Sequence, residues 1–451
     1  MNLTYILLIC YLATLLLIAF RDNKTGDTNS FIIADRKVGI LGFISSSAAS
    51  FRDGGGIITA IGMGFAAGYG MYNFYIGCCL GFLFLAFLAP RGRVVAAQKG
   101  YLTITEMVRD TIGPKTEKVS SIVTVIIYTL TLALQFYVLG HLVQNLFGFS
   151  SVYSTWLVCF VVMIYVTFGG YRTIIKTDII QFFIMLIPIA LLFFTPLKWK
   201  NVADVASLWR GQDPGSFILM MLMGFLCPVS LGDFWQRIFS SKNEKTAKKS
   251  LFCTIFSFFL ITLPMTLVGI SAIGVLPKGT PTDTVLFDML KNPIYPSFFG
   301  AFLALIVVSV VMSSIDTFAY LPASTIIKDF KLAEQNNKHY MKISRLITAI
   351  LLLLGALGSF YIESAVAYIF VITGMITILA PVFAAVGCGL IKKTSTPLDN
   401  AIGLSLLVTL GIGILLMCTK FLFSSMTASL VLPAISCVLV VVSLLYVKYK
   451  N

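Results

Sequence analysis

Apolar runs of roughly twenty residues or more recur along almost the whole chain, separated by short segments that collect the charge. A run of that length crosses the hydrocarbon core of a bilayer as a helix, and it is too long for a barrel strand. In water the same chain would fail: with 58% hydrophobic and 12% charged residues, a soluble fold would be left with far too much exposed apolar surface. Apolar windows place helices at 3–20, 38–69, 70–90, 119–146, 152–169, 174–196, 214–235, 250–276, 296–327, 343–361, 364–391, 397–419 and 426–447. The expected fold is an all-α integral membrane protein of about 13 transmembrane helices. No long polar block remains for a separate soluble unit, so residues 1–451 read as a single polytopic membrane domain. The first run lacks a basic leader and a small-x-small cleavage site and is followed by Arg21, which favours a retained helix over a signal peptide.

An odd number of crossings puts the termini on opposite sides, and the Lys/Arg bias then chooses the cytoplasmic one. One set of loops carries 26 basic residues, including Arg36, Lys37, the Arg91–Lys118 segment, Arg237–Lys249 and Lys328–Arg345. The other carries six: Lys198, Lys200, Arg210, Lys278, Lys291 and Lys420. The N-terminus is therefore expected outside and the C-terminus in the cytoplasm, in a multi-pass plasma-membrane protein. The net charge of +14 belongs to this topology. It comes without the basic helix or Arg/aromatic interleaving of a nucleic-acid surface, so no nucleic-acid partner is expected. Nine cysteines within apolar stretches, with two histidines in the chain, read as packing residues.

Two runs are interrupted. Ser45 to Gly56 places Arg52 and Asp53 beside three glycines in mid-span, and Cys227 to Asp233 combines Pro228, Gly232 and a carboxylate. The interrupted helices stand five positions apart in the helix order. As first and sixth helices of a ten-helix core, they leave one helix before it and two after it, the plan of a five-plus-five inverted repeat. Backbone unwound at that depth has to bind something polar. The alternative is that the glycines allow close packing while Arg52 and Asp53 pair with each other.

A third polar element sits inside the run 296–327. At about 100° per residue, Ser313, Asp316, Thr317, Tyr320 and Ser324 share a helix face, and Ser314 points to the side. Such oxygens suit a hard cation, although Ser and Thr in membrane helices also bond one turn back or bridge helices. A mid-helix carboxylate such as Asp316 needs a cation, a proton or a basic partner. Asp178, expected one turn inside its helix, would either end-pair with Lys176 or Arg172 or line an inward cation path.

The GGYRTIIKTDIIQ junction, the DFWQRIFSSKN helix end, the SSIDT helix with its STIIKDF exit, and the one-plus-ten-plus-two helix plan resemble the sodium:solute symporter family over nearly the whole chain. The resemblance implies a LeuT-like fold: an extra N-terminal helix over 1–21, a ten-helix transport core over 38–391 and two C-terminal helices over 397–447. It implies a sodium site of the Ala49, Arg52 and Val310 carbonyls with the Ser313 and Ser314 hydroxyls. A second site would use Asp178, Ser313, Asp316 and Thr317; at Asp316 several members have a hydroxyl, so a proton is the alternative there. At Phe51-Arg52-Asp53 this chain departs from the small or neutral residues usual in the family.

The expected function is sodium-coupled symport of a small organic solute by alternating access, with Na+ as coupling ion, H+ as alternative and no organic cofactor. Candidate solute contacts are Phe51, Asp53, Tyr75, Gln135, Gly224 and Asp233, and the Arg52–Asp53 pair suits a carboxylate or zwitterion. A proton-coupled carrier of the same fold and a non-transporting membrane sensor are the competing readings. An enzyme is not expected, since no nucleophile/base pair, P-loop or metal-ligand spacing is found.

Overall fold

Apolar runs became helices throughout the computed structural model, which describes residues 3–25, 28–168, 170–195, 214–333, 338–391, 394–425 and 428–450. Lys198, Lys200, Arg210, Lys392, Lys393 and Gly169 of the junction lie outside the described residues. Among those described there is no sheet, only isolated bridges at Val38–Ser241 and Ile273–Leu276.

Ten described helices are long and apolar enough to cross a membrane, or eleven when the bent pair around Leu231 counts as one span. Thirteen were expected. The difference lies in shorter apolar helices at Ile40–Phe51, Gly54–Ala67 and Ser151–Thr167, where interruption or a short run keeps each below a full crossing. The expected helix 38–69 is in fact two, α3 (Ile40–Phe51) and α4 (Gly54–Ala67). The expected helix 214–235 is likewise two, α11 (Pro214–Ser230) and α12 (Gly232–Ser240), meeting at 48°. Pro228 lies within α11, so the chain leaves the helix three residues after the proline.

Other helices outrun their apolar windows because the windows see only the lipid-facing length. α5 (Tyr72–Lys99) continues through Arg91 and Arg93, and α7 (Pro114–Phe147) begins at a proline, where the absent amide costs nothing. α9 (Tyr171–Ile184) starts after Gly170, so Asp178 stands about two turns inside its helix and not one.

Contacts between segments define two ends of the bundle. At one end the basic segments meet. Arg36 donates to the carbonyls of Phe239 (2.9 Å) and Tyr101 (2.8 Å), Arg93 donates to the Ser241 carbonyl, and Lys328 pairs with Glu106 at 3.6 Å. Here too the Val38 amide donates to the Ser240 carbonyl at 3.1 Å and the Lys242 amide to the Val38 carbonyl at 3.0 Å. These two backbone bonds join the start of α3 to the end of α12. At the other end Tyr5 stacks on Phe147, Asp283 accepts from Ser364 and the Val366 amide, and Lys420 pairs with Glu363.

The first helix, α1 (Leu3–Thr25), docks on α9 through Gln181, whose amide donates to the Tyr11 hydroxyl. Asp399, in the first turn of α19 (Thr396–Cys418), caps α7 by accepting from the amides of Lys115 and Thr116. α5 and α11 cross at glycines. A methyl on Gly77 would strike the Met221 carbonyl, and one on Gly224 the Phe74 carbonyl.

Candidate functional site

The first break is made by a carboxylate and three glycines. α3 ends at Phe51, Arg52 departs from helical geometry at φ −94° and ψ 59°, and Asp53 is extended as the N-cap of α4. Asp53 Oδ1 accepts from the Gly56 amide at 2.6 Å, and its Oδ2 accepts from Gln135 Nε2 at 3.1 Å. Gln135 Oε1 in turn accepts from the Gly54 amide at 2.7 Å. In an unbroken helix the Gly56 amide would bond to Arg52 and the Asp53 amide to Ala49. The cap takes the first and the break removes the second, so the Ala49 and Arg52 carbonyls are left without backbone partners.

These carbonyls lie at the end of α3 that packs on α15 (Ser297–Asp329), where Ser50 and Thr317 hydroxyls are 3.1 Å apart. On α15, Ser314 donates to the Val310 carbonyl (3.0 Å) and Ser313 to Asp178 Oδ1 (2.6 Å). All of these side chains are fully buried, and Asp178 Oδ2 has no hydrogen-bond partner. Freed carbonyls, hydroxyls and a carboxylate oxygen are hard donors, the kind that suits a small cation.

The grouping of Asp178, Ser313, Asp316 and Thr317 is met only in part. Asp178 and Ser313 are joined. Thr317 instead reaches Ser50, and Asp316 accepts from the Tyr165 hydroxyl on α8 (Ser151–Phe168), with its Oδ2 unpartnered. The reason is angular: neighbouring residues on a helix diverge by about 100°, so one polar face addresses three different neighbours.

Arg237 was counted among the loop charges. It is 1% exposed, because α12 continues to Ser240 and carries it inward. Its Nη1 pairs with Asp233 at 2.5 Å, Nε donates to Ser46 Oγ at 2.9 Å, and Nη2 donates to Ser50 Oγ at 2.6 Å. Tyr128, also missed, donates to the other Asp233 oxygen at 2.6 Å. The spacing of four between Asp233 and Arg237 on an amphipathic segment was the available signal.

Between the breaks lies a cavity of about 80 Å³, lined in part by Phe51, Arg52, Asp53, Tyr75 and Asp233. The Arg52 guanidinium lies against the rings of Tyr75 and Phe258, at 4.6 and 4.7 Å from their centroids, and the two rings meet edge to face. Phe51 packs against Phe82, Phe234 and Phe258. Two expected solute contacts lie elsewhere: Gly224 is spent on the α5 crossing and Gln135 on clamping the break, and neither lines the cavity.

A family model described as the sodium:solute symporter family matches residues 31–199 and 195–388. The sodium/proline symporter of Staphylococcus aureus is 26% identical over 374 residues, covering 76% of this chain and 72% of that protein. The protein of the same name from S. aureus strain Newman aligns at 26% over 375 residues with the same coverage. Among solved structures, a Na+-coupled sialic acid symporter in a substrate-bound outward-open state matches with TM-score 0.81 at 15% identity, covering 99% of this chain and 98% of that one. The manganese transporter of Eremococcus coleocola matches with TM-score 0.59 at 14% identity, covering 92% and 95%. At such identities these structures speak for the fold alone.

Proposed function

The chain belongs to the sodium:solute symporter family, and on that premise we propose that it carries a small organic solute, a carboxylate or zwitterion, across the plasma membrane together with sodium. The observation that carries this reading is the pair of carbonyls, at Ala49 and Arg52, left without backbone partners at the end of α3 that packs through Ser50 and Thr317 on the middle of α15, the helix of Val310, Ser313 and Ser314. Those five residues form the proposed sodium site. Asp178 with Ser313 forms a second cation position, in which Asp316 and Thr317 act as neighbours and not as co-ligands.

The proposed core spans 38–391, with the basic end of the bundle in the cytoplasm and the N-terminus outside. Sodium joins α3 to α15 and so fixes the backbone that frames the cavity, which raises solute affinity. By linkage, solute raises sodium affinity by the same factor. Closure over both, followed by opening towards the basic end, completes alternating access.

A sodium titration of melting temperature, with potassium or choline holding ionic strength constant, tests the reading. Saturable stabilisation by sodium alone is expected, amounting to about 2.7 kcal/mol at a hundredfold excess over the dissociation constant. Ser313→Ala/Ser314→Ala should lose it. A folded wild type indifferent to sodium would overturn sodium coupling. The unpartnered Asp316 Oδ2 favours one second reading, a proton-coupled carrier: acid would then replace sodium as the driving ion, and Asp316→Asn would remove the drive.

A further inference from the structure

We infer that the cavity takes a small monocarboxylate, held by the Arg52 guanidinium, and excludes solutes whose head group carries an ammonium. The inference rests on the symport reading and names its solute class.

The first argument is the use to which each charge is already put. Among the described residues, three charged side chains line the cavity: Arg52, Asp53 and Asp233. Asp233 gives one oxygen to Tyr128 and the other to Arg237. Asp53 gives one to the Gly56 amide and the other to Gln135. Both carboxylates therefore hold the two breaks with each of their oxygens, and an ammonium would have to share acceptors that are already engaged. Arg52 has the opposite standing. It is 3% exposed, yet its Nε and Nη1 have no hydrogen-bond partner. The rings of Tyr75 and Phe258 rest against the guanidinium, and the two unpartnered nitrogens are donors of the kind that bind a carboxylate in the guanidinium plane.

The rest of the lining fits the same solute. Hydroxyls of Thr59 and Tyr75, 3% and 2% exposed, line the cavity and also lack partners, offering neutral donors to a carboxylate oxygen or a hydroxyl. Met71, Phe74, Ile369 and Ile372 provide an apolar wall for an alkyl tail. A cavity of about 80 Å³ corresponds to about five water-sized increments of ~15 Å³, room for a short acid such as propionate or butyrate. An added ammonium would meet the like charge of Arg52 in a desolvated site, which is discrimination by repulsion. One residue then serves both cargoes, its carbonyl facing the ion and its side chain the solute.

The test is a ligand series on purified wild-type protein at saturating sodium, read by melting temperature and by uptake into proteoliposomes. Propionate carries only the carboxylate, propionamide removes its charge, and L-alanine adds an ammonium to it. Propionate and butyrate should shift the melting temperature saturably and be taken up, with propionamide, L-alanine and L-proline at least about tenfold weaker. In Arg52→Gln the preference of propionate over propionamide should vanish, and Arg52→Lys should restore part of it; if the glutamine variant does not fold, the wild-type series decides alone. L-alanine, L-proline or propionamide equalling propionate while sodium still stabilises the protein would overturn the inference and leave the symport reading standing. Sodium failing to stabilise the protein would overturn that reading, and the inference with it.

Discussion

Replacing Arg237 by glutamine should be among the most damaging single substitutions in the protein, lowering its stability by about 3–5 kcal/mol. The guanidinium is buried and binds Asp233, Ser46 and Ser50 at once, so it ties α12 to the end of α3. Without it, Asp233 keeps only its bonds with Tyr128 and becomes a buried charge without a countercharge. Asp233→Asn/Arg237→Gln should recover part of the loss, because removing both charges relieves the one left exposed to an apolar surround. Melting of the single and double variants in detergent forms the cycle. A single variant that melts with the wild type would remove Arg237 from the framework of the site.

The second large effect is steric. Gly224→Ala should cost about 1–3 kcal/mol and abolish uptake. The added methyl would meet the Phe74 carbonyl, and backbone cannot rotate aside as a side chain can. Separating α11 from α5 would also displace Phe74 and Tyr75 from the cavity wall. Gly411→Ala is the matching control, since nothing lies within 4 Å of its added methyl and alanine is the better helix former. Equal melting temperatures for the two variants would show that the crossing has slack.

The sequence disclosed the two interruptions because their signals are local. A charged pair followed by Gly54-Gly55-Gly56 is legible without knowing any neighbour, and both breaks fall within the stretches expected. What it left open were the partners. Arg52 and Asp53 could be read as an internal pair or as ligand groups, and the two side chains turn to different neighbours: Asp53 caps α4, while Arg52 lies against the rings of Tyr75 and Phe258. Adjacency in the chain does not fix adjacency of side chains.

Arg237 was misplaced for a related reason. Charge clusters beyond an apolar window read as loop, and only the fold reveals that Ser46 and Ser50, nearly two hundred residues earlier, complete its surroundings. Asp316 and Thr317 show the same limit, since helical spacing gives direction but not the helix that will stand in that direction. Gly224 was read by position in its helix, and the crossing that claims it depends on Gly77 in another.

The paired backbone bonds between Val38 and the Ser240–Lys242 segment have a consequence for timing. An amide–carbonyl bond weakens steeply as it bends, so both of these bonds have to open before the two segments can part. The charged ends of the two interrupted helices are thus fastened together as by a latch. Its lifetime can be followed by isotope labelling: the amides of Val38 and Lys242, both held by these bonds, should exchange with deuterium in concert, at a rate set by how often the latch springs.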